Sequence, residues 1–453
     1  MTRAPWLLLL LSTAAHAAPL TLAECVERAL ATDARVEEAE AKVRGHEATL
    51  AEVESVFYPK LQAMAWIAPM FTVTGSALTH DVKRSYGWRD WGPYTHLKAT
   101  LAQPLCTFGR YDAGKAAAAH RVLVEKARVR EARHAVALEV VRMYMTHLMA
   151  RGIQPALDNA ATLLADAEKT GREEYEKGSG KVTQTDLMRL HYGALEVAKH
   201  RLTAADGADL SLVALKRLVG LGPDEPLELA DARLPEAPAG ELPALEDLVA
   251  EATRARPEWT QIAEGEQAAA QLEKAEKLAN APVLFVGGEL SYDWAPTRTD
   301  SPNPYHYDPY NDLVGGIAVG LLFDLDPAKS VAKADKARAL QARVAALKRL
   351  AASGIPLQVR KARADVVRQR EQVRLATEAE ATARKWMTSG AAGYVAGVGE
   401  ARDLLEGLAA YLFARRDHLQ GLLDYHVALG ALTEAVGRVP GRDAPIEGAV
   451  TPR

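Results

Sequence analysis

Two stretches of this chain repeat one another at a nearly fixed spacing. Val26, Ala29 and Pro59 recur 223 positions later as Val249, Ala252 and Pro282. Farther along the spacing is 217: Gly180, Asp186 and Leu187 recur as Gly397, Asp403 and Leu404. Ala214-Leu215 and Val219-Gly220 likewise recur as Ala431-Leu432 and Val436-Gly437. One loop shorter by six residues in the second copy reconciles the two spacings. The chain is therefore a tandem duplication, each copy reading helix, interruption, very long helix, helix. Such a repeat constrains the architecture before any single residue does, because the repeating unit is a whole supersecondary element.

Composition agrees with long packed helices. The 453 residues are 25% charged and only 6% aromatic, with Ala, Leu, Glu, Lys and Arg at helical spacing. A formal charge of −4 with no block of like charge argues against a nucleic-acid partner, which needs a basic footprint. Cys25 and Cys106 are the two cysteines. Both fall where helices are expected to start, in different elements, and read as free packed thiols although an exported chain could pair them. The histidines are scattered without ligand spacing, so neither a metal site nor a cofactor is expected. Residues 1–17 read as a signal peptide: Arg3, the apolar run Trp6 to Leu11, and the cleavage motif Ala15-His16-Ala17. That run is too short to cross about 30 Å of hydrocarbon.

The first repeat spans 18–220. A helix begins at Thr21, capped with Glu24 three residues on, and stops before Pro59. A β-hairpin fills about 60–105. A long helix runs from Tyr111 to about Lys177, with Pro155 at most a kink. A tip at 178–181 leads to a return helix ending at Gly220. A Pro-rich linker, 221–243, joins the second repeat at 244–437: a helix over about 245–279, a β-hairpin over about 283–324, a long helix over about 328–389, a tip at 390–399 and a last helix. The tail 438–453 reads as disordered. Each long helix would span roughly 100 Å, and the two shorter ones laid end to end would match it. Such a rod suits a chain that bridges a wide, fixed gap.

The interruptions carry alternation. Leu284, Val286, Gly288, Leu290, Tyr292 and Trp294 form one face of a strand whose other face turns polar, and Leu313, Gly315, Ile317, Val319, Leu321 and Phe323 behave alike. Leu97, Ala99 and Leu101 alternate with His96, Lys98 and Thr100. A strand of about ten residues crosses a bilayer at a tilt. Four strands alone would leave unpaired edges in hydrocarbon, so several chains must close one barrel.

The sequence here resembles the TolC-type outer-membrane efflux proteins, over about residues 20–437. The resemblance is carried by Leu20-Thr21-Leu22-Ala23-Glu24, Tyr58-Pro59-Lys60-Leu61, Gln103-Pro104-Leu105 with Gly109-Arg110, and Arg256-Pro257-Glu258. It implies a mainly α fold with β: tandem long helical hairpins forming a periplasmic α-barrel, plus two β-hairpins giving four strands to a trimeric 12-stranded membrane β-barrel. It also implies a homotrimer in outer-membrane lipid, with a large periplasmic part. Its tips would dock a periplasmic adaptor (membrane fusion) protein coupled to an inner-membrane RND, ABC or similar transporter.

Site residues follow from the same resemblance. Asp403 and Glu406, three apart on one helix face, match the acidic ring at the periplasmic pore constriction. Tyr394 matches a tyrosine that latches the closed state onto the neighbouring tip, and Thr185 with Asp186 match the receiving segment. The family's arginine two residues after Gly397 is here Gly399, with Arg402 nearby as a substitute. Gly180, Lys181, Gly397 and Gly399 mark the adaptor-docking tips. No nucleophile–base pair or phosphate loop is present to suggest an enzyme. The sequence therefore reads as the exit channel of a tripartite efflux or type I secretion system; the alternative is a periplasmic adaptor or structural coiled-coil protein.

Overall fold

The computed structural model describes residues 19–75, 80–178, 180–238, 240–300, 305, 307–444 and 446. The signal-peptide segment and Ser179 of the first tip lie outside them. In chain order the elements are α1 Leu22–Thr32, α2 Ala34–Glu54, β1 Lys60–Thr74, β2 Lys83–Ser85, β3 Trp91–Cys106, α3 Arg110–Glu176 and α4 Gln184–Leu218. The second copy follows with α5 Leu245–Ala255, α6 Pro257–Lys277, β4 Val283–Trp294, β5 Asp312–Leu322, α7 Pro327–Val395 and α8 Ala401–Ala435. The chain divides into two compact units: residues 1–41, 126–260 and 348–453 form one, and 42–125 with 261–347 the other. Among the described residues no helix is long and apolar enough to cross a membrane.

The first unit is helical, and its core explains which positions the duplication has kept. Ala29 and Ala252 are both fully buried, as are Leu215 and Leu432. They pack with Tyr144, Leu148, Tyr425 and their neighbours in one apolar cluster. The repeated Gly220 and Gly437 have φ of 75° and 90°. In each case the glycine N–H returns to the carbonyl three residues back and the next residue's N–H to that five residues before it, closing the last helical turn.

Each opening helix is broken where one continuous helix is expected. Asp33 accepts the backbone N–H of Arg35 at 2.9 Å and its guanidinium at 2.8 Å, a local bond that competes with the helix and starts α2 afresh. In the second copy Pro257 supplies no N–H and pushes Arg256 into extended backbone. Arg256 then pairs with Glu258. The charge order is reversed: acid then base at the first break, base then acid at the second. Arg35 reaches Glu139 on α3, and Arg256 reaches Gln358 on α7 at 2.6 Å.

Three further expectations are corrected. The tail is packed at least to 444: Val439 and Ile446 are buried, Arg438 pairs with Glu251, and Asp443 accepts the Val439 N–H at 2.7 Å. Residues 390–395 belong to α7, because helical bonding persists to the Ala396 N–H, which returns to Ala392 at 3.0 Å, and the turn's bonds begin only at Gly397. Cys106 ends a strand rather than opening a helix; both cysteines are free, and burial pushes the Cys25 thiol up to about 11. The linker is pinned along this unit by Leu20 pairing with Leu229 and by Arg363 and Arg370 donating to the Pro243 and Gly240 carbonyls.

The second unit holds one antiparallel sheet in the order β2-β1-β3-β4-β5. The two hairpins join through β3 and β4, so both copies share a single sheet. The fifth strand, β2, covers only Thr72–Thr74 of β1. The rest of that β1 edge and the outer edge of β5 have no partner strand among the described residues.

Candidate functional site

At the tip, α3 ends at Glu176 and the chain turns through Gly178 and Gly180, both in left-handed backbone with φ of 67° and 69°. Thr183 caps α4: its hydroxyl accepts the Asp186 N–H at 3.2 Å, and the Asp186 carboxylate accepts the Thr183 N–H at 3.1 Å and its hydroxyl at 2.7 Å. Asp186 also holds Arg189 at 3.3 Å. The bond from the Thr183 hydroxyl is the main reason its carboxyl sits below the ordinary carboxylate range; Arg189 adds to it.

The second tip is built differently. Gly397, with φ of 72°, closes α7: its N–H returns to Tyr394 at 3.0 Å and that of Val398 to Gly393 at 3.1 Å. The Gly399 N–H shares the Gly393 carbonyl at 2.9 Å, and a Cβ at Gly399 would lie 2.9 Å from the Gly393 carbonyl carbon. The position that the family fills with arginine has no room for a side chain here. Lys181 reaches across, its Nζ 3.4 Å from where a Gly397 Cβ would sit, so these two of the four tip residues meet, while an added Cβ at Gly180 would find nothing within 4 Å. Glu400, where the first copy has Thr183, makes no capping bond, so α8 starts without the box that starts α4.

Tyr394 is buried, 7% exposed, in a small core with Leu164, Leu190, Leu404 and Leu408. Its hydroxyl donates to the Ala167 carbonyl on α3 at 3.2 Å, passing over Gly171, where an added Cβ would come within 2.6 Å of the oxygen. Burial, and after it the charge of Asp186, raises the phenol above its usual range. Within the chain, then, Tyr394 is not bonded to Thr185 or Asp186; it is seated in a notch on its own α3. Gly171 and Ala167 were missed at the sequence level. The available signal was an isolated glycine deep inside a helical pattern, which marks close approach.

Asp403 and Glu406 both stand exposed on the first turns of α8. Glu406 is not a bare carboxylate: Arg402 pairs with it at 2.7 Å. Arg402 therefore serves the acidic face rather than the tyrosine.

Register sorts the sheet into two faces. One carries Leu61, Leu101 and Ile317 in one row and Ala65, Leu97, Tyr292 and Leu313 in another, most of them exposed. The opposite face is polar and bonded. Lys98 pairs with Glu289 at 2.8 Å, and Asp293 accepts from His96 at 2.7 Å, Tyr94 at 2.5 Å and Ser291 at 3.0 Å. Trp66 packs edge-on against Tyr94, with centroids 4.9 Å apart. Among the described residues no group of side chains is arranged to hold a metal ion.

No protein-family model matches the sequence, and no curated protein does. Solved structures do match. The Campylobacter jejuni CmeC outer membrane channel aligns with a TM-score of 0.75 at 16% identity, over 94% of this chain and 86% of that one. The Vibrio cholerae outer membrane protein VceC gives 0.67 at 18% identity, over 92% and 96%. The open-state Neisseria gonorrhoeae MtrE outer membrane channel gives 0.67 at 18%, over 93% and 90%.

Proposed function

We propose, from a chain that carries the fold of the TolC-type outer-membrane channels, that this protein is an outer-membrane exit duct with no catalytic chemistry of its own. The observation that carries the proposal is the two-faced sheet. Its strands of 11 to 16 residues are long enough to cross a bilayer. One face offers lipid an apolar surface, the other offers water a bonded polar one, and the two long edges await partners. An open edge in hydrocarbon costs several kcal/mol per unpaired group, so the sheet is complete only when copies join edge to edge. Three copies close a twelve-stranded barrel, and the helical units of the same three chains make up the periplasmic part.

The tips then face the periplasm. Gly180, Lys181, Gly397 and Gly399 supply backbone and one cation to a docking adaptor, which couples the duct to an inner-membrane pump. Asp403 and Glu406 ring the entrance, and Tyr394 holds it shut. This latch acts first through its own α3, with Thr185 and Asp186 as the surface the neighbouring tip meets.

Purified outer membranes should contain the protein as a heat-modifiable trimer that forms channels in planar bilayers. Recovery only in the soluble periplasmic fraction would sink the reading and favour the adaptor alternative. In the same recordings, Asp403→Ala with Glu406→Ala should reduce cation preference; unchanged selectivity would remove the acidic ring.

A further inference from the structure

We infer that residues 295–299 are a strap across the polar face of the sheet that sets the size limit of the duct at its outer mouth, with Arg298 as the residue that holds it. The inference rests on the exit-duct reading, which makes the polar face the lumen wall. β4 and β1 are not neighbours; β3 lies between them. Yet the chain leaving β4 pairs with the end of β1: Val73 donates to the Thr297 carbonyl at 3.0 Å, and Thr299 donates to the Val73 carbonyl at 3.3 Å. Gly75 donates to the Thr299 hydroxyl at 3.0 Å. The strap must therefore pass over β3, and Gly92 shows where. An added Cβ there would lie 2.2 Å from Thr297 Cγ2.

The side it crosses follows from alternation. Gly92 pairs with Met70, and both share the face of Trp66 and His96, the polar one. Arg298 lies on this face too. Its Nε donates to Met70 Sδ at 3.2 Å and its guanidinium stacks over Tyr310 at 4.5 Å, while at the strand end it also meets the ring of Phe71, of the opposite parity to Met70, at 4.8 Å. Tyr310 in turn rests on Tyr94. These contacts sit at the strand ends farthest along the chain from the helices, which in the duct is the outer mouth. Three straps would narrow it.

The closed strap is incompletely bonded. Thr297 Oγ1, Asn311 Nδ2 and Asp308 Oδ2 are buried with no hydrogen-bond partner among the described residues. Unmade bonds of this kind favour opening, where water satisfies them. A strap held by stacked rings and a few backbone bonds, and opposed by these groups, is suited to yield to cargo.

The test labels a lumen cysteine from outside intact cells. Gly316 lies on the polar face with nothing within 4 Å of an added Cβ, so Gly316→Cys in a Cys106→Ser background makes an accessible reporter; Cys25 is fully buried. A small maleimide should label it at one rate whatever the strap does. A bulky polyethylene-glycol maleimide should label slowly; Arg298→Ala should speed it by about 5- to 30-fold, the shift expected from losing two cation–π contacts, and Gly92→Leu, which collides with Thr297, should speed it as well. Equal bulky-reagent rates in all three proteins would overturn the strap. Failure of the small reagent in intact cells, with labelling after solubilisation, would instead overturn the lumen assignment and the duct with it. Should Gly92→Leu fail to assemble, Arg298→Ala decides alone.

Discussion

At Gly171 the absence of a side chain is what lets the Tyr394 hydroxyl reach the Ala167 carbonyl. Gly171→Ala must displace the ring or the helix, and overpacking of this kind costs about 1–3 kcal/mol. Tyr394→Phe keeps the ring seated and loses only the bond, about 0.5–1.5 kcal/mol. Urea unfolding should rank Gly171→Ala as the more destabilising, and both should raise spontaneous conductance in planar bilayers. The opposite ranking would mean that the notch does not seat the tyrosine. Arg402 invites a second comparison. Because it pairs with Glu406, Arg402→Ala should strengthen cation preference, the reverse of removing the carboxylates; a fall in cation preference would show that the pair does not face the passage.

Among elements, α4 and α8 are equivalents that start unequally. Thr183→Ala should cost α4 about 1 kcal/mol, and Glu400→Thr, which can bond the Asp403 N–H, should stabilise α8 by a similar amount. Urea midpoints of the two variants should move in opposite directions. Farther along, α7 and α8 are joined by a buried charge cluster. Glu380 meets His418 at 2.6 Å, Arg384 at 2.8 Å and Arg415 at 3.2 Å. Burial works against its charge, but the bonds from His418 and the two arginines outweigh it and hold the carboxyl below its usual 4.5. A carboxyl lowered in the native state contributes stability that is complete above 4.5 and is lost as the pH falls through the lowered value. Between about pH 6 and pH 3 the parent should therefore lose more unfolding stability than Glu380→Gln, which starts lower. Parallel curves would remove the cluster from the acid response. Of all this, the sequence displayed the periodic parts: long helices, alternating strands and repeated core positions such as Ala29 and Leu215. It hid the helix breaks, because Asp33 acts through a bond to a residue two places on, and the cluster around Glu380, because two of its three partners lie 35 and 38 residues away on another helix. At the tip, the repeat spacing singled out Asp403 and the resemblance pointed to Tyr394, while the role of Gly171 depends on how two helices meet.

For the whole molecule, the two faces of the sheet should tolerate charge very differently. Ile317→Arg on the apolar face should cost about 2–4 kcal/mol in the bilayer and deplete heat-modifiable trimer from outer membranes. Thr100→Arg, on the polar face, should assemble normally. Equal loss from both would mean that the faces are not lipid and water. One detail of the helix breaks reaches this scale as well. A gene encoding a single copy could in principle build the same tube from six identical pieces, each serving at every position. This chain has given up that interchangeability. With Asp33 before Arg35 in one copy and Arg256 before Glu258 in the other, each break matches only its own surroundings, Glu139 in the first case and Gln358 in the second. Neither copy can stand in for its sibling, so a ring assembled from these chains grows only by whole chains, and each half of the duplication is free to specialise without asking the other.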